Sequence, residues 1–201
     1  MQANTQQIKF AHPYRFIMDK KELRKILREK RRNISKTQKA IYDKTISEKI
    51  INTDYFKKAE QVLIFASTDE EFDTRYIIER CRLEHKRVFY PRCLDKNGNM
   101  EFFKVDSVGD LEIGIMGLLE PKKTCKPYKP KENDIAIVPA LSADKKHYRI
   151  GYGGGYYDRF LKKFNGVSIC PCYSELYSES LPADEYDIKV SIIATEKEVL
   201  L

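Results

Sequence analysis

The chain is poor in the residues that hold soft metals or knit small folds covalently. It has only three histidines, and its five cysteines, Cys81, Cys93, Cys125, Cys170 and Cys172, are odd in number. None shows CxxC spacing or a nearby histidine cluster, which excludes a zinc site of ordinary spacing and a disulfide framework. Reduced structural thiols are expected. Cys170 and Cys172 flank Pro171 in a strand-like run, where i and i+2 share a face, but that alone is weak support for redox work. No apolar stretch approaches the roughly 18 residues of a membrane span. Residues 1–18, polar and interrupted by Pro13, lack the continuous apolar core of a signal peptide and read as an N-terminal extension. The expectation is a cytoplasmic protein without a membrane partner, with residues 19–201 as a single domain. There is no internal repeat and no low-complexity tract.

Glycine is scarce as well, with nine in 201 residues, and four of them fall between Gly151 and Gly155. Such density is a backbone requirement. Upstream, Asn133 to Leu141 reads as a buried strand; downstream, Tyr157, Phe160, Leu161 and Phe164 recur at the spacing of one helical face. Strand, glycine loop and helix is the order of a phosphate cradle, in which side-chain-free backbone brings N–H groups to an anion and the helix N-terminus adds partial positive charge. The run has neither the GxxxxGK[ST] pattern nor a GxGxxG with its distant acid, so it is not an ordinary P-loop or dinucleotide fingerprint. Arg149 before it offers a fork for phosphate oxygens, and Asp158 after it suits Mg²⁺, with a charge at the start of a helix as the lesser alternative.

The net charge of +7 is uneven, because Arg15 to Lys39 holds eleven basic against three acidic residues. This segment implies an anionic partner: nucleic acid, membrane surface or polyphosphate. It lacks interleaved aromatics and any recognised nucleic-acid motif, which argues against nucleic acid. Lys20 and Arg24 share a helical face beside Lys21, a pattern that also fits a solvated basic surface.

The remaining pattern predicts an α/β fold of stacked layers. One helix begins at Asp19 with Glu22 at capping-box spacing, and a second at Ser35 with Gln38. Strands are expected at Gln61–Ala66, at Arg87–Tyr90 ending at Pro91, at Met100–Val105 after the Asn97-Gly98 turn, at Val167–Tyr173 and at Lys189–Ala194. A polar acidic loop from Ser67 to Asp73 precedes a helix through Tyr76 and Cys81. Gly109 to Lys131 reads as a long irregular connection.

The segment "RIGYGGGYYDRFL" resembles, nearly letter for letter, the signature of the 5-formyltetrahydrofolate cyclo-ligase family. "KKELRKILREKRRNIS", "IFASTDEEFDT", "GLLEP" and "DIAIVPAL" resemble further family elements, in the family's order from about Lys20 to Ile193. The resemblance implies a three-layer α/β sandwich with a mostly parallel central sheet, similar to ribose-phosphate isomerase and CoA-transferase folds. It implies conversion of 5-formyltetrahydrofolate to 5,10-methenyltetrahydrofolate, with ATP as co-substrate and Mg²⁺ as cofactor. By the same resemblance, Lys20, Lys21, Arg24 and the loop Arg149, Ile150, Gly151, Tyr152, Gly153, Gly154, Gly155, Tyr156 and Tyr157 bind ATP, and Arg149 and Tyr157 are catalytic. Ala66, Glu71 and the loop face from Tyr152 to Tyr156 contact folate, and Asp158 and Asp187 hold the metal. Asp69, Glu70 and Asp73 surround Glu71, and the sequence alone does not choose among them. A monomer is expected, and the basic surface suits a polyglutamylated substrate on charge grounds.

Overall fold

The computed structural model describes residues 19–201, and the expected extension at residues 1–18 lies outside the described residues. The elements are α1 (Lys20–Arg32), α2 (Lys36–Asn52), α3 (Asp54–Lys58), β1 (Gln61–Leu63), α4 (Arg75–Leu83), β2 (Arg87–Cys93), β3 (Met100–Lys104), β4 (Leu111–Ile113), β5 (Leu119–Pro121), β6 (Ile135–Ile137), β7 (Ser142–Ala143), β8 (Arg149–Ile150), α5 (Tyr156–Leu161), β9 (Val167–Pro171), β10 (Ile192–Ala194) and β11 (Val199–Leu200). Single 3₁₀ turns lie at Val108–Asp110 and Ser174–Leu176.

The main sheet has the order β11-β10-β9-β6-β1-β2-β3. Its five inner strands are parallel, while β3 and β11 pair antiparallel at the two edges. Val62, Leu63, Ile64, Ile135, Ala136, Ile137, Ile169 and Ile193 are all essentially inaccessible. That is why these strands read as unbroken apolar runs: a parallel sheet is covered on both faces. Parallel crossovers take the right hand. The crossover carrying α4 moves from β1 toward one edge, and the one carrying α5 moves from β6 toward the other, so the two helices cover opposite faces.

Local chemistry sets the helix starts. Ser35 caps α2 by accepting from the Gln38 N–H at 3.1 Å. Asp19 caps α1 through the Lys21 N–H, also at 3.1 Å, rather than through Glu22. Several expectations are corrected: β1 ends at Leu63 rather than Ala66, β6 takes only Ile135–Ile137 of the run from Asn133 to Leu141, β9 ends at Pro171 rather than Tyr173, and β10 begins at Ile192 rather than Lys189. Strand β2 does not stop at Pro91 but runs to Cys93, because β1 ends opposite Phe89 and only β3 continues beside it. The connection from Gly109 to Lys131 is not wholly irregular: β4 and β5 form a hairpin there, pairing Leu111 with Pro121 and Ile113 with Leu119.

Candidate functional site

Strands β1 and β6 are neighbours whose outgoing connections diverge to opposite sides of the sheet. A crevice opens beyond the carboxyl ends of strands at such a switch point. The chain leaving β1 supplies Phe65, Ala66 and the acidic loop; the chain leaving β6 supplies Pro139 and Ala140. Phe65, Glu71, Pro139, Ala140, Arg31 and Tyr152 line a narrow cleft there. A wider groove lies near the starts of β6 and β9, between Thr53, Asp54, Tyr55, Lys58, Asn133, Val167 and Leu201, at the opposite ends of the strands from the switch-point crevice.

The glycine loop enters this cleft from the β7–β8 ribbon, anchored by the buried Ile150 side chain. Gly153 and Gly155 take φ of 106° and 68°, the left-handed region that side chains disfavour, and Gly155 is the N-cap of α5. Helix α5 has only six residues and ends before Phe164, so the expected helix-dipole contribution is small. Its aromatic face still forms: Phe160 packs on Phe102 at 4.7 Å and on Phe164 at 5.0 Å between ring centroids.

Helix α1 turns a stripe of cations toward the loop. Lys20 Nζ lies 2.7 Å from Asp184 and 2.5 Å from Asp187. Arg24 Nε donates to the Gly151 carbonyl at 3.0 Å. Arg28 lies over the Tyr152 ring, 5.5 Å from its centroid. Arg31, itself buried, donates to the Tyr152 hydroxyl at 3.1 Å and to the Ala140 carbonyl at 2.6 Å. Lys21 is exposed and lies off this stripe.

The two carboxylates assigned to metal meet at one turn. Asp158 accepts from the Ile188 N–H at 3.1 Å and pairs with Arg149 at 3.2 Å, while Asp187 precedes Ile188. Arg149 is buried and also donates to the Ile188 carbonyl at 2.9 Å, so it braces Asp158. Burial lowers the Lys20 pKa, but hydrogen bonds to Asp184 and Asp187 outweigh it and raise the value above the usual 10.5. Among the described residues no group of three His, Cys, Asp or Glu side chains is gathered for a metal.

The acidic loop sorts itself by partner. Glu70 pairs with Arg32 at 2.9 Å and Asp73 with Arg75 at 2.5 Å. Glu71 accepts from the Thr68 N–H and hydroxyl at 2.9 Å and faces the cleft. Burial, followed by the nearby Glu71 charge, pushes the Tyr152 hydroxyl well above its ordinary range.

Five buried side-chain polar atoms of the described residues have no partner: Arg31 Nε, Ser47 Oγ, Glu120 Oε2, Arg149 Nε and Tyr157 Oη. All but Ser47 belong to the glycine loop or its immediate surroundings. Glu120 joins this group through Cys93, whose thiol is pushed up to about 12 by burial and then by Glu120; the Tyr156 hydroxyl also reaches that thiol. Tyr156 donates to the Asp95 carbonyl at 2.8 Å. Leaving such groups unpaired costs roughly 1–3 kcal/mol each, so their concentration around the glycine loop marks a place suited to a polar ligand.

The structure therefore brings together Lys20, Arg24, Arg149, the loop from Ile150 to Tyr157, Asp158, Asp187, Ala66 and Glu71 around the switch point, and leaves Lys21 aside. Sequence reasoning missed Arg28, Arg31, Asp184 and Glu120. For the first two a signal existed: with Lys20 and Arg24 they recur at helical spacing along α1.

The model of the 5-formyltetrahydrofolate cyclo-ligase family matches residues 17–196. The 5-formyltetrahydrofolate cyclo-ligase of Escherichia coli K12 is 27% identical over 179 residues, covering 87% of this chain and 98% of the relative. The mouse enzyme of the same name is 25% identical over 195 residues, covering 88% and 93%. Among solved structures, Aquifex aeolicus 5,10-methenyltetrahydrofolate synthetase superimposes with a TM-score of 0.78 at 31% identity, over 90% of this chain and 92% of that one.

Proposed function

The chain belongs to the 5-formyltetrahydrofolate cyclo-ligase family, and on that premise we propose that it closes 5-formyltetrahydrofolate to 5,10-methenyltetrahydrofolate at the switch-point cleft, converting ATP to ADP and phosphate. The observation that carries this reading is the gathering of partnerless buried polar atoms around the glycine loop, where the cationic stripe of α1, Arg31 included, meets it.

The chemistry explains the site. A formyl oxygen on nitrogen is a poor leaving group. It attacks the γ-phosphorus, the bond to the ADP oxygen breaks, and the formyl carbon becomes activated as a phosphate ester. The substrate's second nitrogen then adds to that carbon, its proton is lost, and the carbon–oxygen bond breaks with phosphate taking the electron pair. Such phosphoryl transfer depends on positioning and charge neutralisation. In this reading Lys20 and Arg24 neutralise phosphate oxygens, and the glycine-loop backbone comes close to them. Arg149 holds Asp158 in place. Glu71 accepts hydrogen bonds from pterin N–H groups, and Tyr152, backed by Arg28 and Arg31, supplies a flat amphipathic wall.

The donor set fits Mg²⁺, since Asp158 of α5, bonded to the Ile188 N–H, and Asp187, the residue before Ile188, are hard oxygen donors, and this ion commonly uses one or two carboxylates with substrate phosphate oxygens. When bound, it would neutralise charge on the transferring phosphoryl group.

The test mixes the protein with 5-formyltetrahydrofolate, ATP and Mg²⁺, following near-ultraviolet absorbance of the methenyl product together with ADP release. Coupled signals that require all three components are expected. Folded protein that binds folate or ATP without turnover would instead be an inactive binder, and absence of both binding events would overturn the assignment.

A further inference from the structure

Both carboxylates assigned to the metal are already neutralised by cations of the protein, and the two cations differ in their freedom to leave. Arg149 has a side chain only 4% exposed, and it is bonded to the Ile188 carbonyl as well as to Asp158. It is fixed. Lys20 is a flexible stem at the first residue of α1, and one of its two partners, Asp184, is 65% exposed. Asp187 is held independently, because the same oxygen that meets Lys20 accepts from the Asp184 N–H at 2.6 Å. Removing Lys20 would therefore leave Asp187 in position with its charge bare.

We propose that Lys20 is an exchangeable countercharge: it pairs with Asp187 and Asp184 in the free protein and passes to the phosphates of ATP when Mg²⁺ takes its place on Asp187. The inference rests on the reading of Asp187 as a magnesium ligand. A dication on Asp187 repels an ammonium group that stood 2.5 Å from that carboxylate, and the phosphate chain attracts it. Without the metal, Lys20 stays with its carboxylates and is withheld from the phosphates, which meet the one negative charge that a single ammonium leaves on Asp184 and Asp187. Metal and nucleotide must then bind with positive coupling, of which Lys20 is the carrier.

The test is calorimetric binding of ATP to the full chain without folate, once in EDTA and once in Mg²⁺. For Lys20→Met, affinity should fall about tenfold in Mg²⁺, the change expected for one lost charge-assisted hydrogen bond, and fall less in EDTA, where no phosphate contact is lost and only the bared carboxylate charge opposes the nucleotide. For Asp187→Asn, which leaves Lys20 with only the exposed Asp184 as a carboxylate partner, affinity should rise in EDTA and fall in Mg²⁺. Adding Lys20→Met to Asp187→Asn should then lower affinity in EDTA as well. Lys20→Arg, which keeps the charge, should retain most of the coupling, and thermal denaturation of each variant verifies folding. An equal loss in both buffers for Lys20→Met would make Lys20 a fixed phosphate contact and overturn the exchange; no loss in either would reduce it to a structural pin. If Asp187→Asn leaves the magnesium dependence of ATP binding unchanged, the metal-ligand reading fails, and the exchange fails with it.

Discussion

Arg31 and Tyr152, separated by 121 positions in the chain, are joined by a hydrogen bond of 3.1 Å from the guanidinium to the phenol. The same guanidinium holds the Ala140 carbonyl, in the chain that leaves β6. One side chain of α1 thus ties the glycine loop to the switch point of the sheet. Arg31→Lys keeps the charge but cannot serve both partners with the same planar fork. We expect the KM for 5-formyltetrahydrofolate to rise about tenfold and stability to fall by about 1–3 kcal/mol. Steady-state kinetics and thermal denaturation measure both. A lower melting temperature with an unchanged KM would assign Arg31 to packing alone.

Tyr157 presents the opposite balance. Its ring is set edge-on to Phe102 and Phe160, while its hydroxyl is buried without a partner, and burial keeps it protonated. Tyr157→Phe removes a desolvated group and keeps the rings, so stability should hold or rise by up to about 1 kcal/mol. Turnover should nonetheless drop at least about tenfold if the hydroxyl finds its partner in the substrate complex. Unchanged turnover in this variant would show that the hydroxyl is not used.

Acid sensitivity should be traceable to the loop that carries Glu71. Burial pushes Asp73 up, but hydrogen bonds from the Arg75 side chain and backbone hold it below the usual 3.8. A carboxylate with a depressed folded-state pKa contributes stability that is present above 3.8 and is lost as pH falls through the lower folded value. Asp73→Asn should therefore be less stable than the parent at neutral pH, with the gap closing in acid. Denaturant titrations at several pH values test this, and a gap independent of pH would exclude Asp73 as its source.

How much of this was legible in sequence depends on the range of the forces involved. The Ser35 cap, the buried run at Ile135–Ile137 and the glycine loop are local or compositional, and each is visible in a few adjacent residues. The β4–β5 hairpin left no such trace, because Ile113, Met116 and Leu119 are all exposed and give no in–out alternation. Its placement comes from a distant group, Arg92, which bonds Glu112 at 2.7 Å and the Pro121 carbonyl. Glu71 could not be singled out among neighbouring acids because the choice is made by Arg32 and Arg75, which occupy Glu70 and Asp73. Asp184 was equally hidden, since nothing near it in the chain indicates that Lys20 will be its partner.

The Arg149–Asp158 pair allows structural and chemical roles to be separated. Asp158→Asn preserves an oxygen for the Ile188 N–H but removes the charge opposite a guanidinium that is 4% exposed. Breaking one side of a buried pair typically costs about 3–5 kcal/mol, because the remaining charge is uncompensated, and the 26% exposure of Asp158 places the expected loss at or below the low end. Loss of activity in that single variant would therefore be ambiguous. Arg149→Met combined with Asp158→Asn removes both charges and should recover much of the stability, since an apolar replacement of a buried pair is often near neutral. Magnesium-dependent turnover should stay low in the double variant if Asp158 is a metal ligand. Should turnover return along with the melting temperature, the pair would be a scaffold for the Ile188 turn, and the metal would have to be held without Asp158.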